Sequence, residues 1–178
     1  MELRDENAMN DQLFGGFIKN IKEPFALKGM ITSLKHYKPN KYGVYVLVDD
    51  REFPNTLCNL GNALAAKLFA DNTGTRPTHM AVGTTSGGKT SASTTLEAEV
   101  GRVALDSTTC PAAGAANDNV VTYVATFPAG TGTGALVEAA ILNAAAAGTM
   151  ICYAEYGVVT KAAADIVIFT WTLTMGTS

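Results

Sequence analysis

The chain has 178 residues, a formal net charge of -3, 47% hydrophobic residues and only 16% charged ones. That hydrophobic content excludes a disordered chain, and the small negative charge gives no general attraction to nucleic acid or to an anionic membrane. Charged residues fall well below the roughly 25% of ordinary soluble domains, so much of the surface must be covered by Thr, Ser, Gly, Asn and Ala or by other subunits, which suits a component of an assembly.

The charges are also unevenly placed, with 16 of the 29 in residues 1–55. Residues 1–24 read as an extended N-terminal anchoring arm. It opens with Asp and Asn residues, too acidic and polar over Met1–Asp11 for a signal peptide. Leu13, Phe14, Phe17 and Ile18 then flank Gly15 and Gly16, a pair that weakens a helix. These four, with Phe25, are the candidate partner-interface residues, apolar groups suited to a groove on a neighbouring subunit.

Residues 25–178 read as one β-sandwich domain that starts with a hairpin (25–54) and a helix (55–70). Phe25–Tyr37 and Tyr42–Val48 have strand composition, and Lys38–Lys41 between them is turn chemistry. In Asn55–Ala70 the leucines at 57, 60, 64 and 68 recur at helical spacing, with Asn55 or Thr56 as the cap. Beyond Thr78 strand-like runs dominate: His79–Val82, Glu99–Asp106, Asn119–Phe127, Ala135–Leu142, Thr149–Thr160 and Ile166–Thr174. Gly, Pro, Asn and Ser/Thr clusters separate them, the pattern of an antiparallel sandwich. Ala139–Ala147 is open to a short helix by propensity. The most apolar run, Ala139–Ala154, is broken by Asn143 and Gly148 and is shorter than the ~20 residues of a membrane span.

Gly83–Thr90 reads GTTSGGKT and satisfies the phosphate-loop pattern. Such a loop works only when a helix opens at its Lys-Thr and turns its N-terminus to the anion. Here a Ser/Thr tract follows, poor at starting a helix, and no alternating βα pattern supplies the parallel sheet. The expected structure is a strand-to-strand surface loop with Lys89 facing solvent or a neighbouring subunit and no phosphate bound. Nothing else in the pattern indicates catalysis, a metal or a cofactor. Cys58, Cys110 and Cys152 are widely spaced and read as small buried hydrophobes. Glu97 and Glu99 read as a solvated pair. Glu138, which interrupts an apolar run, reads as a structural carboxylate that caps a turn or pairs with Arg102. Phe169, Trp171 and Leu173 alternate as core residues do.

Several segments also carry a resemblance, in order along the chain: Asn59–Leu64 (NLGNAL), His79–Thr84 (HMAVGT), Thr95–Arg102 (TLEAEVGR), Phe127–Gly134 (FPAGTGTG) before Leu136–Ala139 (LVEA), and Thr170–Thr174 (TWTLT). Over residues 55–175 the chain resembles small virion structural proteins of tailed bacteriophages, of the tail-fibre-like or head-decoration kind. Departures at Glu138–Ala140 and Met150–Tyr156 point to an interface that differs here. The resemblance implies a non-enzymatic protein of the virion, assembled in the host cytoplasm. Its partners would be other capsid, neck or tail subunits and copies of itself, with no nucleic acid, membrane or cofactor. An alternative is a receptor- or glycan-binding module of the phage tail with a host surface receptor as partner. Tyr153 and Tyr156 beside Glu155 are its candidate aromatics.

Overall fold

A computed structural model describes residues 27–176, with side chains from Thr32 onward. The arm, and with it Leu13, Phe14, Phe17, Ile18 and Phe25, lies outside the described residues. Ten strands and one helix follow in the order β1 (Leu27–Pro39), β2 (Tyr45–Pro54), β3 (Thr56–Leu57), α1 (Asn59–Ala70), β4 (His79–Gly83), β5 (Glu99–Ala104), β6 (Ser107–Thr109), β7 (Val120–Phe127), β8 (Gly134–Leu142), β9 (Met150–Lys161) and β10 (Ile166–Met175). They make two five-stranded sheets, β2-β1-β10-β7-β6 and β3-β9-β8-β4-β5, with every pair antiparallel. Among the described residues the expected mainly β sandwich with one helix is therefore what forms.

Alternation of side chains places the core. In β10 Val167, Phe169, Trp171 and Leu173 are buried between the sheets, because every second residue of a strand shares a face. Register then sets large against small: Phe169 lies opposite Ala125 of β7 and Leu34 of β1. The Phe169 ring meets Phe127 edge-on at 5.7 Å between centroids, a favourable aromatic geometry. From the second sheet Met80, Val82, Leu136, Ile141, Ile151 and Val159 complete this core.

The second sheet is unusual in being buried on both faces. Its outward side carries a separate cluster of Cys58, Ala81, Leu96, Ala140, Leu142, Met150 and Tyr153. Hence β8 and β9 need no polar alternation over Ala139–Leu142 and Met150–Ala154. The same demand decides Ala139–Ala147: its first four residues pair as strand with β4 and β9, and no helix forms. It also removes the differing interface expected at Glu138–Ala140, which is buried inside the fold.

The helix starts later than its leucine spacing indicates. Thr56 and Leu57 add to the edge of β9 opposite Tyr153 and Cys152, so helical backbone begins only at Asn59. Asn55, expected as a cap, is instead buried and donates through Nδ2 to Thr32 Oγ1 and the Thr172 carbonyl. Gly61 lets α1 lie on β9, since a Cβ there would run into the Ile151 carbonyl, and Leu64 reaches the central core.

Candidate assembly surface

The phosphate-loop pattern can be tested on its geometry. A phosphate cradle needs free backbone amides. In this loop Thr84 N–H donates to the Ala98 carbonyl, Gly87 N–H to Glu155 Oε1, Thr90 N–H to Ser93 Oγ and Ala92 N–H to Thr90 Oγ1. The Ser91 carbonyl accepts from Asn59 N–H at the start of α1. These four amides are committed within the protein, and no helix begins at Lys89–Thr90. Lys89 does not face solvent as expected. Its side chain is 6% exposed and its Nζ lies 3.1 Å from Glu97 Oε2, while its carbonyl accepts a 2.6 Å bond from the Tyr153 hydroxyl. Residues 84–98 form a lid over the outer face of the second sheet, with Leu96 as its buried apolar plug.

Glu138 fastens that lid. It is fully buried, and its Oε1 accepts from the backbone N–H groups of Glu97 (2.9 Å) and Ala98 (3.1 Å). Burial raises its pKa above the usual carboxylate range against the pull of those two bonds and of Lys89; Glu155, its cross-strand partner, adds to the rise. Gly83 is glycine for the same reason, since a Cβ there would overlap the Glu138 carboxylate. The expected pairing with Arg102 does not occur. Arg102 binds Glu99, with Nη2 2.6 Å from Oε2, and donates to the Ala144 and Ala147 carbonyls. Glu97 and Glu99 are accordingly not a free pair, each having its own cation. A further buried hydrogen bond, between His36 Nε2 and Asp165 Oδ2 at 2.8 Å, holds the 162–165 turn, where Ala162 N–H donates to the same carboxylate. These charged groups are occupied in holding loops.

The remaining expected sites distribute as follows. Tyr153 is 6% exposed, and Tyr156 stacks on Phe53 at 4.6 Å and donates its hydroxyl to the Glu138 carbonyl. The aromatic platform on which a glycan reading depended is therefore turned into the molecule. Cys58 and Cys152 are buried as expected, whereas Cys110 is exposed in the loop after β6. Among the described residues no group of His, Cys, Asp and Glu could hold a metal ion, and no helix is long and apolar enough to cross a membrane.

What the described surface offers instead is the tip of the β1–β2 hairpin. β10 begins opposite Tyr37, so residues 38–46 leave the sheet as a two-stranded ribbon. Asn40 builds its turn: its side chain accepts from Tyr42 N–H and Val44 N–H, and Gly43 supplies a positive φ of 77°, which glycine adopts without penalty. The strand expected to begin at Tyr42 thus begins at Tyr45. Tyr42, Val44, Tyr45, Val46, Leu47 and Val48 are all exposed, Tyr42 at 78%. Val48 has no Cα partner, because Asp49 faces His36 and Leu47 faces Tyr37; this bulge turns the tip relative to the rest of β2. β2 is also an edge strand, so its outer backbone groups are unpaired by the sheet.

The described residues make a sandwich of two antiparallel sheets with locked loops and one apolar edge, a surface suited to assembly. Comparison with known families agrees: residues 50–174 match the model of the phage tail-collar fibre protein, N-terminal, and the chain belongs to that family. It is a tail-fibre-like structural protein of a tailed phage, a component of the virion with its role in the tail. No curated protein and no solved structure matched the chain.

Proposed function

We propose that this chain is a non-enzymatic assembly module of the phage tail that joins a neighbouring tail protein through the edge of β2 at the hairpin tip. One observation carries the reading: six large apolar side chains lie exposed and nearly consecutive at the hairpin tip, four of them on the open edge strand β2. Natural proteins blunt such edges with charge, and β2 does so only over Asp49–Glu52. Strand addition by a partner would satisfy the free N–H and C=O groups and bury the valines, leucine and tyrosines on both faces. The partner is then a protein with its own open strand or apolar cleft, and many copies in a particle would make modest single contacts sufficient. The match to a tail-collar fibre family favours the tail over the head or neck as the place of assembly.

The test is a phage carrying Val46→Asp with Val48→Asp. Particles should lose the protein, or lack whatever attaches through it, while the purified variant unfolds at the same temperature as the parent. Normal incorporation of the variant would overturn the reading.

A further inference from the structure

A second apolar surface lies at the other end of β1. There α1, the start of β7 and the end of β10 leave a groove lined by Leu64, Leu68, Val121, Ile151, Leu173 and Met175. Ala65 and Gly61 keep its helical wall low. The groove opens onto a wider shelf that shares Leu68, Val121 and Met175 and is rimmed by the polar groups Arg76, Thr78 and Thr108. An apolar floor with a polar rim is the usual plan of a site for apolar side chains.

The path of the chain says what covers it. Met175, at the groove, is the pairing partner of Leu27, the first described residue, so the N-terminal segment leaves the fold at the groove's mouth. Ile18 precedes Leu27 by nine positions, a reach of at most about 30 Å. Ile18 closes a run of four large apolar side chains in six residues, Leu13, Phe14, Phe17 and Ile18. We propose that the groove is the seat of the chain's own Leu13–Ile18 segment, folded back onto α1 and the ends of β7 and β10. A short tether gives such a segment an effective concentration in the millimolar range, which favours the same chain over a second copy. The aromatic side chains fill apolar space, and Gly15 and Gly16 let the backbone between them approach the helix. The arm residues that suggested contact with a partner are thereby assigned to the chain itself. This assignment is independent of the hairpin reading, since the two surfaces are at opposite ends of β1.

Two variants of the full chain test it. Ala65→Arg raises the groove's wall with a charged side chain at a half-buried position of the helix. A protease needs several residues extended on each side of its cut, so trypsin cleavage after Lys19 should be slow in the parent and at least tenfold faster in this variant. Phe14→Ser with Phe17→Ser leaves the sandwich untouched, and hydrogen exchange at the Leu64 and Leu68 amides should accelerate about tenfold. Unchanged cleavage and exchange in both variants would overturn the proposal. Protection of Lys19 that grows with protein concentration would also overturn it, because the segment would then be exchanged between copies.

Discussion

Two apolar stretches of this chain read alike and end in opposite environments. Tyr45–Val48 (YVLV) and Ala139–Leu142 (AAIL) both lack the polar alternation of a half-exposed strand. The second is buried on both faces, because one side meets the central core and the other lies under the 84–98 lid. The first is exposed on both faces, on an edge strand at and just beyond the point where β10 begins and the ribbon leaves the sheet. An unbroken apolar strand therefore marks a surface that something must cover. Whether the cover is the chain's own loop or a separate molecule depends on contacts distant in sequence.

The sharpest break of that comparison is one substitution made in both stretches. Ile141→Lys would put an ammonium group into a fully buried position. It should cost about 4 kcal/mol or more, the penalty of an unpaired buried charge added to lost packing, and chemical denaturation should find the protein unfolded or close to it.

Next in size is the fastening of the lid. Glu138→Ala leaves the Glu97 and Ala98 amides without their acceptor and should cost about 2–4 kcal/mol, from unpaired buried donors and a cavity. Glu138→Gln keeps the accepting oxygen and removes the charge. The sign of its pH dependence follows from the raised pKa of Glu138. A carboxyl whose folded pKa lies above its unfolded value, about 4.3, contributes stability that is complete below the unfolded value. That contribution is lost as pH rises through the folded one. The Gln variant should therefore gain on the parent as pH climbs above the ordinary carboxylate range. Denaturant midpoints across that range check it, and a Gln variant that loses ground to the parent with rising pH would contradict the assignment. A smaller effect belongs to Tyr153→Phe, which removes one hydroxyl from the Lys89 carbonyl and should cost about 1 kcal/mol. Hydrogen exchange should then speed up in residues 84–98 and leave β10 unchanged.

Much of the sandwich was legible in the sequence, because β-branched and aromatic residues with period two announce strands directly. Ile166–Leu173 is the clearest case, and its alternation names the core residues as well. The strands β3 and β6, of two and three residues, carry no periodic signal, and β3 moves the start of α1 by its pairing with β9. The lid was not legible for a different reason. Glu138 is 40 residues from Ala98, and Lys89 is 64 from Tyr153, so a polar Gly/Thr loop looks solvated until the sheet beneath it is known. Glu138 did signal itself as a carboxylate inside an apolar run, and capping, one of its two expected roles, is the one it has. The hairpin was read as a strand and not as a surface. Its available signal was the change within β2 from YVLV to the charged DDRE, which separates an uncovered half from a defended one.

The smallest stability effect is the most informative about that uncovered half. Leu47→Lys, the counterpart of Ile141→Lys, changes a residue that is 47% exposed and pairs with Tyr37 at the base of the ribbon, where β10 begins. An exposed site away from caps and buried networks responds within about 0.5 kcal/mol. For a domain of this size that is a Tm shift of no more than about 2 °C. In the free protein the lysine should even help, since a charge on an open edge discourages non-specific pairing. In the particle the same ammonium would have to be desolvated against an apolar partner. Stability and assembly should thus separate at Leu47, with an unchanged Tm and lost incorporation, and coincide at Ile141, where both fail. If Leu47→Lys lowers the Tm by as much as a core substitution, the ribbon is covered by the chain itself, and the two apolar stretches differ only in which part of the chain covers them.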